Sequence, residues 1–210
     1  MLARLRITQA PLILVLLATA GCAETAYRYM NDPARDEWQQ PKAVVEALKI
    51  APGSRVADLG AGGGYFTWYL ADAVGPQGKV YAADIEEVGL RMVREEAGRR
   101  GLHQVETVRS TATDAKLLEP VELIFLCNTY HHLRDRPAYF RALAGSLTPA
   151  GRIAIIDYKP SGLPWLFGHA TSEETVRTEM ESAGYHLVEA PDFLPKQHFL
   201  IFRPALPRGP

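Results

Sequence analysis

The chain has 210 residues, 47% of them hydrophobic and 22% charged, with a formal net charge of −1. That length suits one α/β domain with a sizeable core and is cramped for two. Without residues 1–21, which carry Arg4 and Arg6 and no acid, the charge is −3; no basic stripe is present, so no nucleic-acid partner is expected.

In chain order, MLARLRITQA supplies two arginines, PLILVLLATA an apolar run, and Gly21-Cys22 closes it. These are the charged region, short hydrophobic region and small-residue cleavage site of an export signal over residues 1–21. The run is about half of the ~20 residues a membrane-spanning helix needs. Ending on Gly-Cys, it resembles a bacterial lipoprotein signal, which implies a lipid on Cys22 and a place on the periplasmic side of the cell envelope. Ala23, rather than Asp, favours the outer membrane. Thr19 stands where that signal type usually has Leu. The alternatives are a plain secretion signal or a mis-called start codon, and the location is cytoplasmic if the signal is not processed. Cys127 is the only other cysteine, so neither a disulfide scaffold nor a CxxC metal cluster can be built, and no metal ligands are assigned.

Residues 22–40 are polar with scattered aromatics and read as a tether and N-terminal arm, and residues 41–203 as the domain proper, with 204–210 as a tail. PKAVVEALKI has helical spacing of Val44, Val45 and Leu48. RVADLG is a short continuous apolar strand, of the kind buried on both faces of a parallel sheet. YFTWYLADAV is a helix, KVYAAD a strand, and EEVGLRMVREEAGRR a helix ended by Gly101. QVETV and VELIFLC are strands, RPAYFRALAGSL a helix, and Pro149-Ala150-Gly151 a turn into the strand RIAIIDY. Thr171 and Glu174 form a capping box that opens a helix running to Gly184. YHLVEA and HFLIF are the last strands. The alternation predicts a doubly wound, mostly parallel seven-stranded α/β sheet with helices on both faces, its ligands at the carboxyl ends of the strands.

The stretch VADLGAGGGYF carries the chemistry. Gly60, Gly62 and Gly64 lie between a strand and a helix, where backbone N–H groups and a helix N-terminus meet a ligand. Tyr65 occupies the position where a dinucleotide fingerprint needs its third glycine, and no Lys-Ser/Thr follows for a P-loop. Asp58 ends the first strand and Asp84 the second, and an acid at the second strand's end can take both hydroxyls of a ribose.

With these residues the chain resembles the class I S-adenosylmethionine-dependent methyltransferases over most of residues 38–202. The resemblance implies S-adenosyl-L-methionine as cofactor. It implies that Asp58, Gly60, Gly62 and Gly64 receive the methionine part, that Asp84 holds the ribose and that Ile85 packs on adenine. It places Thr111 and Ala112, with Asp114 near them, at the adenine edge. Trp38, with Arg35, resembles an arm that closes over the cofactor in a bacterial subgroup, and Asn128 at the end of the fourth strand joins the cofactor set.

The acceptor side is read from CNTYHH and YKPSGLPWLFGHA. Asn128-Thr129-Tyr130 lacks the two prolines of the Asn-Pro-Pro-Tyr motif found in amine methylation. The single available thiol argues against a thiol relay. His131, His132 and Asp157 are the candidate catalytic residues, a histidine as base and the acid as its orienting partner; packing or capping roles are the alternative. Leu163, Trp165, Leu166 and Phe167 suggest a lid over the acceptor, or equally a core-sealing loop. The expected activity is methyl transfer to a small apolar or aromatic acceptor. A membrane-tethered binding module without turnover is the alternative.

Overall fold

The computed structural model describes residues 24–161, 166 and 168–205. The expected export signal, Cys22, Leu163, Trp165, Phe167 and the tail beyond 205 therefore lie outside the described residues.

Helix α1 (24–30), a 3₁₀ turn (Pro33–Arg35) and the short α2 (Asp36–Gln39) precede α3 (Pro41–Leu48). The segment expected to be a loose tether is thus helical from residue 24. Its polar composition hid contacts made by a few residues, Tyr27, Asn31 and Asp36. Next come β1 (Arg55–Leu59), α4 (Tyr65–Val74), β2 (Lys79–Asp84) and α5 (Glu87–Arg100). Strands β3 (Val105–Arg109) and β4 (Val121–Cys127) lead through a 3₁₀ turn (Tyr130–His132) to α6 (Arg136–Leu143). The chain ends in β5 (Leu147–Tyr158), α7 (Glu173–Ser182), β6 (Tyr185–Glu189) and β7 (Gln197–Pro204).

The seven strands lie in the order β3-β2-β1-β4-β5-β7-β6. Strands β1 to β5 pair in parallel, and β7 runs antiparallel between β5 and β6. The strand order reverses at β1/β4, which opens a crevice beyond the carboxyl ends of these two strands.

Alternate residues of each central strand face opposite layers, as a period of two requires. Leu123 and Phe125 of β4 pack with Val44 and Leu48 of α3 and Phe66, Leu70 and Val74 of α4. Ile124 and Leu126 face the other side, with Phe140 and Leu143 of α6 and Val176 and Met180 of α7. Both faces being covered explains the continuous apolar runs read as strands. Helix α5 stops where expected: Gly101 takes φ +69°, and Leu102 N–H reaches back to the Ala97 carbonyl, 3.0 Å away.

Three local expectations are corrected. The helix expected over RPAYFRALAGSL ends at Leu143, and residues 144–146 tighten into a 3₁₀ turn. Pro149-Ala150-Gly151 is not a turn before a strand but an irregularity inside β5. Val121 pairs with Leu147 and Leu123 with Arg152, so β5 absorbs extra residues where Pro149 has no N–H to give. The cap of α7 is Ser172, in an extended conformation and accepting from Thr175 N–H at 3.1 Å, rather than Thr171 paired with Glu174.

Candidate active site

The loop after β1 is fixed by its own backbone. Gly60 and Ala61 donate to the Ala83 carbonyl at 2.8 and 3.1 Å, and Gly64 N–H donates to the Ala61 carbonyl at 2.9 Å. Gly60, Gly62 and Gly64 take φ of +79°, +53° and +92°, conformations that disfavour a side chain. At Gly60 a Cβ would also sit 2.2 Å from the Thr129 hydroxyl.

Asp84 ties this loop to β2. One carboxylate oxygen accepts from Gly62 N–H and the other from Glu86 N–H, both at 2.8 Å. Each oxygen keeps a second acceptor site, which is what binding a ribose hydroxyl requires. Ile85 follows at 49% exposure, an apolar surface beside the acid. The third-strand loop lies against the same strand end: Ser110 N–H donates to the Asp84 carbonyl at 3.0 Å, and Thr111 N–H to the Asp114 carbonyl at 2.8 Å. Thr111 and Ala112 are exposed.

Asp58 is buried and accepts from the Thr67 hydroxyl at 2.7 Å. Burial pushes its carboxyl up to about 7, the Thr67 hydrogen bond opposing and the Asp84 charge adding to the rise. The folded value lies above the unfolded one, so the stability this site contributes is full below about pH 4 and lost as pH rises through about 7. In the apo protein the unfolding free energy of Asp58→Asn should therefore gain on wild type between pH 4 and 8, by roughly 4 kcal/mol at most. Chemical denaturation at a series of pH values measures it, and a pH-independent difference would show that Asp58 is charged throughout.

The N-terminal arm lies on the glycine loop through Tyr27 and Asn31, two residues the sequence did not single out. Asn31 Nδ2 donates to the Gly63 carbonyl at 2.6 Å, and the Tyr27 ring stands 3.2 Å from where a Gly62 Cβ would lie. Burial, then the charges of Asp84 and Glu86, push the Tyr27 phenol up to about 12. Asp36 accepts from Tyr65 and Tyr69 of α4, at 2.5 and 2.7 Å, and the Arg35 guanidinium lies 4.0 Å over the Tyr65 ring. Trp38 stacks on Tyr158 at the end of β5, with Lys196 over its other neighbourhood at 4.8 Å. The buried Gln39 donates to Gln197, which in turn donates to the Asn128 side-chain oxygen at 2.6 Å. Asn128 is therefore held by β7, at the crevice but through its side chain committed to a structural chain of amides.

A second residue missed in the sequence is Gly89 in the first turn of α5. A Cβ there would lie 2.5 Å from the Gly62 carbonyl oxygen. Helix and loop touch backbone to backbone.

On the acceptor side Tyr130 is fully buried, stacks on Phe140 and donates to Glu179 at 2.5 Å; Arg136 holds the same carboxylate. It anchors the turn instead of offering a stacking face, which removes the last element of an amine-methylation motif. Thr129 touches the glycine loop, so the next residues stand beside it. His131 Nδ1 lies 2.7 Å from Asp157 Oδ1, with 4% and 0% of the two side chains exposed. His132 is exposed, and burial of its ring face, then the neighbouring His131 and His169, lower its pKa. His169 joins the pair from the loop after β5, 5.5 and 5.4 Å from the two rings. Leu166, of the expected lid, is 73% exposed. Opposite Asp157 in the β5/β7 register stands the buried His198, whose pKa burial lowers. Cys127 is kept a neutral thiol, burial pushing it up to about 12.

A solved S-adenosylmethionine-dependent methyltransferase from Aquifex aeolicus shares this architecture at a TM-score of 0.77 and 27% identity, covering 85% of this chain and 97% of that one. Residues 57–153 match the family described as a methyltransferase domain. The fold is the class I, Rossmann-like methyltransferase fold. S-adenosylmethionine is the cofactor this fold and the matched family imply, and the loop fits it: the positive-φ glycines leave no side chain between the backbone and a ligand, and Asp84 keeps free acceptor sites. Among curated relatives of this chain, a demethylmenaquinone methyltransferase from Geobacillus stearothermophilus is 30% identical over 135 residues, 60% of this chain and 53% of its own length. A tRNA (guanine(6)-N2)-methyltransferase from Thermus thermophilus is 31% identical over 129 residues, 57% of this chain and 38% of its own length. The chain thus spans about half the length of the first of these curated relatives and less of the second.

Proposed function

We propose that the protein transfers a methyl group from S-adenosylmethionine to a small apolar or aromatic acceptor that loses a proton from a hydroxyl as it is methylated. The observation that carries this reading is the buried His131–Asp157 pair, 2.7 Å apart, on the turn beside the glycine loop. Bound S-adenosylmethionine supplies an electrophilic methyl on a cationic sulfur. Asp84 would hold its ribose, and the residue 60–64 loop its methionine end.

The protein's own task is alignment and proton removal. Asp157 accepts from Nδ1–H of His131, which leaves the Nε2 lone pair free to take the acceptor's proton. The acceptor oxygen gains the methyl, the carbon–sulfur bond breaks, and the electron pair stays on sulfur. Trp38 and Tyr158 give the crevice an aromatic edge suited to a flat apolar acceptor. The two curated relatives act, by their names, on chemically unlike acceptors, so the acceptor class rests on this rim alone.

Calorimetry with S-adenosylhomocysteine tests the cofactor half. Wild type should bind, and Asp84→Ala should bind more weakly by roughly 1.5–3 kcal/mol, the worth of hydrogen bonds to a charged group. Equal affinity would remove Asp84 from the site. A panel of phenolic acceptors with radiolabelled methyl donor tests the other half.

A further inference from the structure

We infer that His131, His132 and His169 form a binding site for one divalent transition-metal ion, with Asp157 as the outer carboxylate that orients His131. Two separate loops deliver the three rings to one point, the turn after β4 and the segment after β5. One nitrogen from each ring lies within 4.8 Å of the other two. Bonds of about 2.0–2.1 Å to an ion at their centre would need each ring to move inwards by less than about 1 Å.

The carboxylate supplies the second, independent observation. With His131 Nδ1 committed to Asp157, Nε2 is the atom that His131 has to offer, the arrangement by which outer carboxylates orient metal-bound imidazoles. Asp157 is fully buried, and its Oδ2 has no hydrogen-bond partner among the described residues. A buried carboxylate with one oxygen left without a partner is costly, and a dication one ring away compensates it.

The donor set selects the ion. Three imidazoles without thiolate or carboxylate in the inner set suit Zn²⁺, Co²⁺, Ni²⁺ or Cu²⁺ and disfavour Mg²⁺ and Ca²⁺. Three protein ligands also leave a coordination position open, as catalytic rather than structural sites do. His132 and His169 are exposed, so that position faces the rim where the acceptor is placed.

An oxygen of the acceptor is the group that position would take, and this part alone rests on the proposed methyl transfer. The ion and the proton compete for the same Nε2 lone pair. In the metal-loaded protein the ion would acidify the acceptor hydroxyl in place of the imidazole.

The test is a cobalt titration of the untagged, chelator-treated full chain, read by visible absorption. One Co²⁺ per chain is expected, with the intense bands of a four- or five-coordinate site, displaced by Zn²⁺. His132→Ala and His169→Ala should each weaken binding at least tenfold and Asp157→Asn about 10–100-fold. His186→Ala, an exposed histidine on β6, should bind as wild type. Failure to bind cobalt, or binding indifferent to His132→Ala and His169→Ala, overturns the site. S-adenosylhomocysteine calorimetry on the same samples separates the two readings. Cofactor binding without cobalt overturns the metal site alone, and cobalt binding without cofactor overturns the methyltransferase reading alone.

Discussion

Gly89→Ala should abolish or severely weaken S-adenosylhomocysteine binding while leaving a folded domain. On an ordinary helix position this substitution is favourable, since alanine gains roughly 0.8–1.0 kcal/mol over glycine in helix propensity. Here the new Cβ would stand 2.5 Å from the Gly62 carbonyl oxygen and 2.8 Å from its carbon, both backbone atoms that cannot rotate away. Either α5 or the glycine loop must yield by several tenths of an ångström. Gly62 is the residue that Asp84 holds through its N–H, so a shift of the loop reaches that acid as well. Displacing it moves the backbone donors and the ribose acid together, and misplacements of about 1 Å cost on the order of a hundredfold where geometry matters. Gly98→Ala, on the same helix with open space around its Cβ, is the control. It should raise stability by roughly 0.5–1 kcal/mol and leave affinity unchanged. If Gly89→Ala binds as tightly as Gly98→Ala, the contact between α5 and the loop has no part in holding the cofactor.

The reason Gly89 escaped the sequence reading is instructive about what one-dimensional patterns carry. Gly60, Gly62 and Gly64 announce themselves by density, and their position between an apolar run and a helix states what they are for. Gly89 in EEVGLRMVREEAGRR looks like any exposed helix glycine, because its partner is 27 residues away along the chain. Strands β2 and β4 were legible to the residue and β1 to within one, since two-face burial writes itself as unbroken apolar sequence. β5 was not, because Pro149 and Gly151 are the usual punctuation of a turn and nothing local shows that pairing with β4 resumes across them. The arm shows the same limit from the other side. AETAYRYMNDPARDEWQQ has the composition of a tether, yet Tyr27, Asn31 and Asp36 make long-range contacts to the loop and to α4. Polar composition reports low self-burial; it does not report docking onto another element's backbone. His131, His132 and Asp157 could be named from their places at strand ends, but their convergence with His169 depends on how two loops fold over one rim.

Turnover should fall by about 10²–10⁴ in His131→Ala, the usual contribution of a positioned general base, with S-adenosylhomocysteine affinity unchanged. The expectation follows from the separation of tasks in the fold. The proposed cofactor contacts come from the loop after β1 and the end of β2, whereas His131 stands on the turn after β4 and is held from β5 by Asp157. That turn is fixed independently, by Tyr130 and Arg136 on Glu179, so truncating the His131 side chain leaves its backbone in place. Asp157→Asn is the finer probe. Its side-chain oxygen can still accept from His131 Nδ1–H and from Tyr158 N–H, which Asp157 Oδ1 receives at 3.1 Å, so orientation survives while the charge is lost. The carboxylate's benefit to an imidazole that gains a proton disappears, and kcat should drop without a matching rise in KM for the acceptor. A structural role for Asp157 would instead lower stability and raise KM together. His132→Ala, removing the exposed neighbour, separates base from crowding: in the metal-free enzyme it should alter kcat far less than His131→Ala. Equal losses in the two variants would mean that proton removal needs the histidine cluster as a unit, and unchanged turnover in His131→Ala would move the base elsewhere along the crevice.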